Sequence, residues 1–368
     1  MLKQYRLRDY KFRLVLWVAA LSAIGVLVVG SANEAYRSRQ LAGVIIGFIC
    51  MVIVSLIDYV WLSNFYWLEY IFGVFILALV PFFGATVNGA KRWIRIGSFF
   101  QFQPSDVVKI IMIVFLARLY SKYEDKINHP KVIFGSLLAM AVPIAFIYQQ
   151  PNLSTSILMA LLFCAMIFLA GLSYKIIGGI ILVTIPVAVI LLTIILQPNQ
   201  TLIDQYQQKR ILAWLQPESY TQESSQQTNS IIAIGSGQLY GKGLNNDDVS
   251  SVKNGNFIPE PQTDFIFAVV GEELGFLGCC IIIVLELLIA LECVNIGRRA
   301  REKCGTLIGC GMGALIFFQC FINICVATGL MPNTGISLPF VSYGLTSLVS
   351  FWIGIGIVLN VGLQVRKY

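Results

Sequence analysis

Charge is scarce in this 368-residue sequence. Asp, Glu, Lys and Arg together supply only 12% of it, hydrophobic residues supply 57%, and the mean hydropathy is +0.77. That balance excludes an ordinary soluble domain, where about a quarter of the residues are charged. Histidine is scarcer still. His129 stands alone in Glu124-Asp-Lys-Ile-Asn-His-Pro130, with no second His and no nearby Cys, so the usual donors of a zinc site are missing and no metal site is expected. Cysteines are present, but Cys50, Cys164, Cys279, Cys280, Cys293, Cys310, Cys320 and Cys325 sit inside apolar runs and Cys304 in a loop assigned below to the cytoplasm. That distribution excludes an external disulfide framework and leaves them as small packing residues. A nucleotide-type phosphate loop is lacking as well. Gly235-Ser-Gly-Gln-Leu-Tyr-Gly-Lys-Gly243 has Ser236 where the leading Gly belongs and Gly243 where the Mg-binding hydroxyl belongs. It reads as a turn-rich segment whose exposed N–H groups are free to approach a lipid-linked phosphate.

What is present is a succession of apolar runs, each long enough to cross about 30 Å of hydrocarbon. Ten spans are expected, at 14–31, 41–57, 65–83, 104–120, 132–148, 153–170, 176–196, 265–294, 305–328 and 346–364. The fold class is therefore an all-α polytopic membrane protein, with residues 1–368 forming a single membrane domain. The first run is treated as a retained span, although Ser31-Ala32 on its flank resembles a signal cleavage site. An inside N-terminus leaves most Lys and Arg in cytoplasmic segments: Lys3 through Arg13, Arg118 through Lys131, Lys175, Arg298 through Lys303, Arg366 and Lys367. Short external loops then hold only Arg37, Arg39, Lys91, Arg92 and Arg95. This asymmetry puts both termini in the cytoplasm. The long loop at 197–264, between the seventh and eighth spans, is external by parity, since the charge rule does not govern a loop that long, with Lys209, Arg210, Lys242 and Lys253 in it. The net charge of +7 is thus explained by orientation, and nucleic acid is not an expected partner. Within the loop, Tyr220-Thr-Gln-Glu-Ser-Ser-Gln-Gln-Thr-Asn229 reads as a mobile polar stretch, and Gln205 through Trp214 as an amphipathic helix on the outer surface. Gly305, Gly309 and Gly313 in the ninth span predict close helix contact.

Polar residues are costly in such a chain, which makes them the candidates for chemistry. In Gln103-Pro-Ser-Asp-Val-Val-Lys109 the spacing puts Asp106 and Lys109 on one helix face, where they neutralise each other. Lys109 facing a cavity and meeting an anionic substrate is compatible with that pairing. Gly89-Ala-Lys-Arg-Trp93-Ile-Arg95-Ile-Gly-Ser reads as a short basic and aromatic external loop, its Trp93 either an interfacial anchor or a ligand contact. Asn152 in Tyr148-Gln-Gln-Pro-Asn152 reads as a helix cap before a catalytic group. Arg210 is either a solvated charge or a phosphate contact. Asp264, in Pro259-Glu-Pro-Gln-Thr-Asp264, stands beside Thr263 at the head of the eighth span, where the helix dipole favours its anion. At about 100° per residue, Glu272 lies roughly 80° around the helix from it and Glu273 roughly 180°, so Glu272 is the better candidate for the same cavity. Thr328 through Ser347, with Ser342 and Tyr343, is too broken by Pro and Gly to be a helix. It predicts re-entrant structure lining a site.

These segments together resemble the SEDS family of bacterial cell-shape, division and sporulation proteins. The motifs that carry the likeness are Gln103 through Lys109, Ala233-Ile-Gly-Ser-Gly237, Pro259 through Phe267 running into Gly271-Glu-Glu-Leu-Gly275, and Asn323 through Ser347. The short N-terminal tail and compact length resemble the RodA side of that family more than the FtsW side. Two departures stand out: Asn152 and Ser154 occupy positions where the family has Asp and Gly, and Leu345 replaces the second Gly of its Ser-Tyr-Gly-Gly.

The resemblance implies a peptidoglycan glycosyltransferase of the bacterial cytoplasmic membrane. Its reaction polymerises lipid II at the outer face, with inversion and release of undecaprenyl diphosphate. It implies that Asp264 is the essential carboxylate and that Asp106 and Lys109 are the ion pair of the fourth span. It puts Trp93 and Arg210 near substrate, with Thr263, Glu272, Asn152, Ser342 and Tyr343 as further substrate contacts. No cofactor is called for, and a divalent cation beside the pyrophosphate is compatible with this reading. The implied partners are a class B penicillin-binding transpeptidase and other membrane proteins of the elongation or division machinery. The alternative is a lipid II flippase, which needs charge through the full membrane depth. Here the polar motifs gather at the external ends of spans, which favours chemistry at one face.

Overall fold

Long apolar runs that must satisfy their own backbone form helices. The computed structural model describes residues 9–87, 90–96, 100–197, 200, 203, 205–245, 251, 255 and 257–364. In chain order the elements are α1 (Phe12–Ala32), α2 (Glu34–Leu56), α3 (Tyr59–Asn64), α4 (Tyr66–Phe83), β1 (Gly84–Val87), β2 (Ala90–Ile96), β3 (Phe100–Phe102), α5 (Pro104–Lys122), α6 (Pro130–Gln149), α7 (Leu153–Ala170), α8 (Tyr174–Ile195), α9 (Gln205–Leu215), α10 (Thr221–Ser236), α11 (Ile266–Arg298), α12 (Lys303–Ala327) and α13 (Leu345–Leu363). Eight of these helices are long and apolar enough to cross a membrane among the described residues: α1, α2, α4, α6, α7, α11, α12 and α13. The fourth expected span forms as α5, but Asp106, Lys109 and Arg118 keep it from qualifying by composition, and the seventh forms as the 22-residue α8. Of the charges used for orientation, Lys3, Arg6, Arg8, Lys253, Arg366 and Lys367 lie outside the described residues, as do Gly89, Gly97 and Ser98 of the basic loop.

Apolar area gains nothing by leaving lipid for protein, so these helices are held by close packing. Small residues set the approach. A Cβ on Gly309 would lie 2.6 Å from the Cα of Gly297, and one on Gly313 would lie 2.7 Å from the Ala290 carbonyl. At Gly309 and Gly313 the expected glycine seam is the α11–α12 contact, while Gly305 faces Tyr59, Ala300 and Val361. Gly47 of α2 gives room to the fully buried Trp352 of α13. Helix α1 buries Leu14, Val18, Leu21, Val28 and Val29, so the first run is part of the packed bundle.

Two expectations are corrected here. The fold is not purely helical: β1, β2 and β3 form an antiparallel sheet in that order, with Ala85 opposite Trp93 and Arg95 opposite Gln101. Alternation of Trp93 and Arg95 with Ile94 and Ile96 suits a pleated ribbon better than a loop. The Gln/Ser-rich stretch is also ordered, as the first half of α10. Gln227 donates to the Val326 carbonyl at 2.8 Å and the Met331 carbonyl at 2.6 Å, and Ser230 donates to the Ala327 carbonyl at 2.7 Å. These polar side chains satisfy carbonyls that α12 leaves open at its C-terminus.

Helix α11 is interrupted. Gly275 has φ 68° and ψ −165°, which breaks the hydrogen-bond ladder and leaves a short arm, Ile266 to Leu274, ahead of the main rod. The turn after α10 bonds across the gap. Lys242 and Gly243 donate to the carbonyls of Glu272 and Glu273, while Phe276 and Leu277 donate to those of Gln238 and Leu239. The N–H groups of Lys242 and Gly243, read from sequence as free for a phosphate, are therefore committed to a helix break.

Candidate active site

The short arm of α11 carries Asp264 at its head, two residues before the first helical position. Its backbone is pinned by Asn323 of α12, whose amide donates to the Asp264 carbonyl at 2.8 Å and to the Ile336 carbonyl at 2.6 Å. One buried amide thus ties the head of α11 to the irregular segment 328–344. That segment buries Ile336, Leu338, Phe340 and Val341, which is how non-helical backbone is tolerated at this depth.

Gly335 forms the floor between the charged groups. It has φ +71°, and a Cβ added there would lie 3.2 Å from Oδ2 of Asp264 and 3.6 Å from Nη1 of Arg210. Carboxylate and guanidinium therefore face one small gap over bare backbone. Arg210, on amphipathic α9, donates from Nη1 to the Asn333 carbonyl at 3.3 Å, and Trp214 one turn on donates to the Gly329 carbonyl at 2.9 Å. These two bonds fix α9 on the loop. A second cation, Arg92 of β2, bridges to the turn before α7 through the Gln150 carbonyl at 3.2 Å and the Pro151 carbonyl.

The electrostatics of Asp264 follow from this setting. Withdrawal from water pushes its carboxyl above the ordinary carboxylate range, the Arg210 and Arg92 guanidiniums pull it back, and Glu260 pushes it up again. Glu260 is itself held at φ +50°, a left-handed conformation unusual for a residue with a side chain, and its carbonyl accepts both the N–H and the hydroxyl of Thr263. The net result is a partly exposed carboxylate that is more basic than usual and flanked by two cations.

The other candidate residues divide into those joined to this gap and those committed elsewhere. Ser342 accepts from the Leu338 N–H at 2.7 Å and so braces a turn within the loop, while the Tyr343 N–H donates to the Gln262 carbonyl at 2.8 Å and ties the loop to the run before Asp264. Lys109 and Asp106 form their ion pair at 2.9 Å with both side chains buried. Lys109 also donates to Gln319 at 2.9 Å, and Gln319 donates to the Ser337 carbonyl at 2.9 Å, two residues from Gly335. The pair reaches the loop through that glutamine. Asn152 caps α7 by accepting from the Thr155 N–H at 3.2 Å, and Ser154 donates to the Thr334 carbonyl. Trp93 is next to Arg92 on β2, and alternation sends the two side chains to opposite faces. Glu272 is joined to Lys242 at 2.8 Å and Glu273 to the Ser31 hydroxyl at 2.6 Å, both on the splint over the α11 break. Arg92, Gly335, Asn323 and Gln319 were not singled out from sequence. The basic loop hinted at Arg92, and the run Asn323 through Ser347 contains Asn323 and Gly335 without setting either apart, while nothing local marks Gln319.

Comparison with known proteins places the whole chain in a family. Residues 11–367 match the family of cell cycle proteins that comprises FtsW, RodA and SpoVE. The protein named probable peptidoglycan glycosyltransferase FtsW from Geobacter sp. strain M18 is 32% identical, over 98% of this chain and 99% of its own. The protein named peptidoglycan glycosyltransferase MrdB from Escherichia coli K12 is 32% identical, over 95% of this chain and 88% of its own. A chain from a peptidoglycan synthase complex, solved to describe how polymerization and crosslinking are coordinated, superposes with a TM-score of 0.81 at 25% identity, covering 96% of this chain and 97% of that one. With a match that runs over nearly its whole length, this multi-pass membrane chain belongs to the FtsW, RodA and SpoVE family of cell cycle proteins.

Proposed function

We propose that this protein is a peptidoglycan glycosyltransferase that polymerises lipid II, with Asp264 as the general base. The observation that carries the reading is the gap over Gly335, where the Asp264 carboxylate and the Arg210 guanidinium meet, with Arg92 near enough to act on the same carboxylate. Glycan polymerisation needs a base for the attacking hydroxyl and cations for the departing pyrophosphate. A carboxylate raised above its ordinary range takes a proton more readily, provided it is still ionised at working pH. In the reaction, Asp264 accepts the acceptor sugar's hydroxyl proton as that oxygen bonds to the donor's anomeric carbon. The bond from that carbon to the diphosphate breaks, inverting the centre, and Arg210 and Arg92 take up the charge on undecaprenyl diphosphate. Thr263, Ser342 and Tyr343 shape the loop around the gap, Asn152 caps the helix beside it, and Trp93 stands on the other face of β2 from Arg92. Lys109, Asp106 and Glu272 support it from buried positions.

The topology that goes with this reading has ten spans, α5 and α8 included, both termini in the cytoplasm and residues 197–264 outside. The chain then acts as one membrane domain of the bacterial plasma membrane, with its site on the outer face. The neighbouring synthase complex supports a crosslinking partner, a class B penicillin-binding transpeptidase. Purified protein incubated with labelled lipid II, with and without such a partner, tests the function. Glycan chains that depend on Arg210 and Asp264 support it, whereas transbilayer movement of lipid II in liposomes without polymer sinks it in favour of a flippase.

A further inference from the structure

Residues 333–337, which carry the floor of the gap, have their backbone acceptors taken and their donors left over. The Asn333 carbonyl accepts from Arg210 at 3.3 Å, the Thr334 carbonyl from the Ser154 hydroxyl, the Ile336 carbonyl from Asn323 at 2.6 Å and the Ser337 carbonyl from Gln319 at 2.9 Å. These side chains come from α9, α7 and α12. Among the described residues, the N–H groups of Thr334, Gly335, Ile336 and Ser337 meet no acceptor, and the run ends at Leu338, whose N–H is bonded to Ser342. Backbone N–H groups withdrawn from water are almost always paired. A run of open ones on irregular backbone is how a chain builds an anion site without adding charge.

Gly335 is the member of this run that stands in the gap. A Cβ there would lie 3.2 Å from Oδ2 of Asp264 and 3.6 Å from Nη1 of Arg210, so its bare backbone is open to whatever lies between them. Glycine does not hold φ +71° by itself, since it populates either sign of φ about as readily. Ser154 supplies the constraint. Its hydroxyl fixes the carbonyl of the Thr334–Gly335 peptide toward α7, and in a planar trans peptide the N–H then points the other way. Ser154 is itself buried at the head of α7, where Asn152 caps the helix and Arg92 holds the turn before it.

We propose that the Gly335 N–H is a catalytic donor to the diphosphate that leaves in this gap, and that Ser154 is the positioning residue that aims it. On the glycosyltransferase reading, on which this rests, the N–H works beside the Arg210 guanidinium. The nearby carboxylate does not repel the anion when its charge builds. Asp264 has by then taken the acceptor's hydroxyl proton and is neutral as the bond from the anomeric carbon to the diphosphate breaks. A donor already fixed in place needs no reorganisation at that moment.

Thr-Gly occurs twice in the chain, at 328–329 and 334–335. Full-length protein made with carbonyl-labelled Thr and nitrogen-labelled Gly therefore shows Gly329 and Gly335 alone in a carbonyl-filtered amide spectrum. Gly329 is the internal control, because its N–H already donates to the Val326 carbonyl at 3.1 Å. Farnesyl diphosphate is the probe and farnesol its neutral match, with binding followed by calorimetry. In the wild type, the diphosphate is expected to move the Gly335 amide proton downfield and leave Gly329 in place, and farnesol to move neither. Ser154→Ala is expected to remove most of the Gly335 shift and to lower kcat on lipid II about tenfold with KM little changed, as for a misaimed group. Ser154→Thr, which keeps the hydroxyl, is expected to recover most of both. Diphosphate that binds but leaves the Gly335 amide unmoved overturns the proposal alone, as does Ser154→Ala with the wild-type shift and kcat. No binding of the diphosphate to the wild type overturns it together with the glycosyltransferase reading.

Discussion

Two sets of carboxylates sit on the same short arm of α11, and the fold treats them in opposite ways. Glu272 and Glu273 are buried and paired, one with Lys242 and one with Ser31, and their carbonyls also receive the backbone of the turn after α10. Asp264, a little over two turns earlier and just ahead of the first helical residue, keeps part of its surface and faces a gap over Gly335 with a guanidinium across it. The buried pair is used up holding a broken helix together. The carboxylate at the tip is left raised in pKa and accessible, which suits a proton acceptor. A carboxylate in an apolar helix is thus not enough to mark catalysis, and what its oxygens already do decides.

This contrast can be broken at either end. The largest effect is expected from Arg210→Gln, which removes the cation across the gap. Turnover should fall about a hundredfold, as for loss of one transition-state donor. Its loss also lifts Asp264 further, so the acid limb of the kcat/KM profile should move to higher pH, a shift read by initial rates across pH. Gly275→Ala comes next. A Cβ there would lie 2.3 Å from the Gly241 N–H nitrogen, on a backbone conformation that L residues avoid, and a loss of about 3 kcal/mol or more is expected in thermal or denaturant unfolding.

At the paired end, Lys242→Ala leaves Glu272 buried without its cation and should cost about 2 kcal/mol, discounted because the lysine is partly exposed. Removing both charges with Lys242→Met and Glu272→Leu should recover most of that loss. Turnover per folded molecule should change little in either variant, and an unchanged melting temperature in Lys242→Ala would erase the contrast. The smallest effect on stability is that of Asp264→Asn. A carboxyl raised in the folded state favours folding only while protonated, so that stability is present at low pH and lost as pH rises through the folded pKa. At neutral pH the asparagine variant should therefore melt slightly higher than the wild type, by about 1 kcal/mol or less, and the gap should close as pH falls toward 4.

Much of the frame was legible because apolar runs of membrane length leave few choices, and each expected span has a helix at its position. The Asp106–Lys109 pair, the cap at Asn152 and the helix bearing Arg210 were likewise readable, being local features set by spacing. Residues whose meaning depends on a distant partner were not. The glycines at 237 and 241 make sense only against the segment leading into the break at Gly275, more than thirty residues later, and Gly335 only against Asp264 and Arg210. Arg92 was hidden behind its neighbour Trp93, since a strand separates adjacent side chains that a loop would have left together. The polar stretch at 220–229 looked mobile because composition does not reveal that carbonyls of α12 await it. Leu345, a departure from the resembled pattern, proves to be the first residue of α13, where a leucine is a good helix former.

The central claim, that Asp264 is the working carboxylate and its deeper neighbours are structural, is tested most directly by one side-by-side assay. Wild type, Asp264→Asn and Glu272→Gln are purified in equal folded amounts and given labelled lipid II, and glycan chain length is read on a gel. Chains from wild type and Glu272→Gln, with Asp264→Asn reduced at least about a hundredfold, are the predicted outcome. Polymer from Asp264→Asn at the wild-type rate would contradict it.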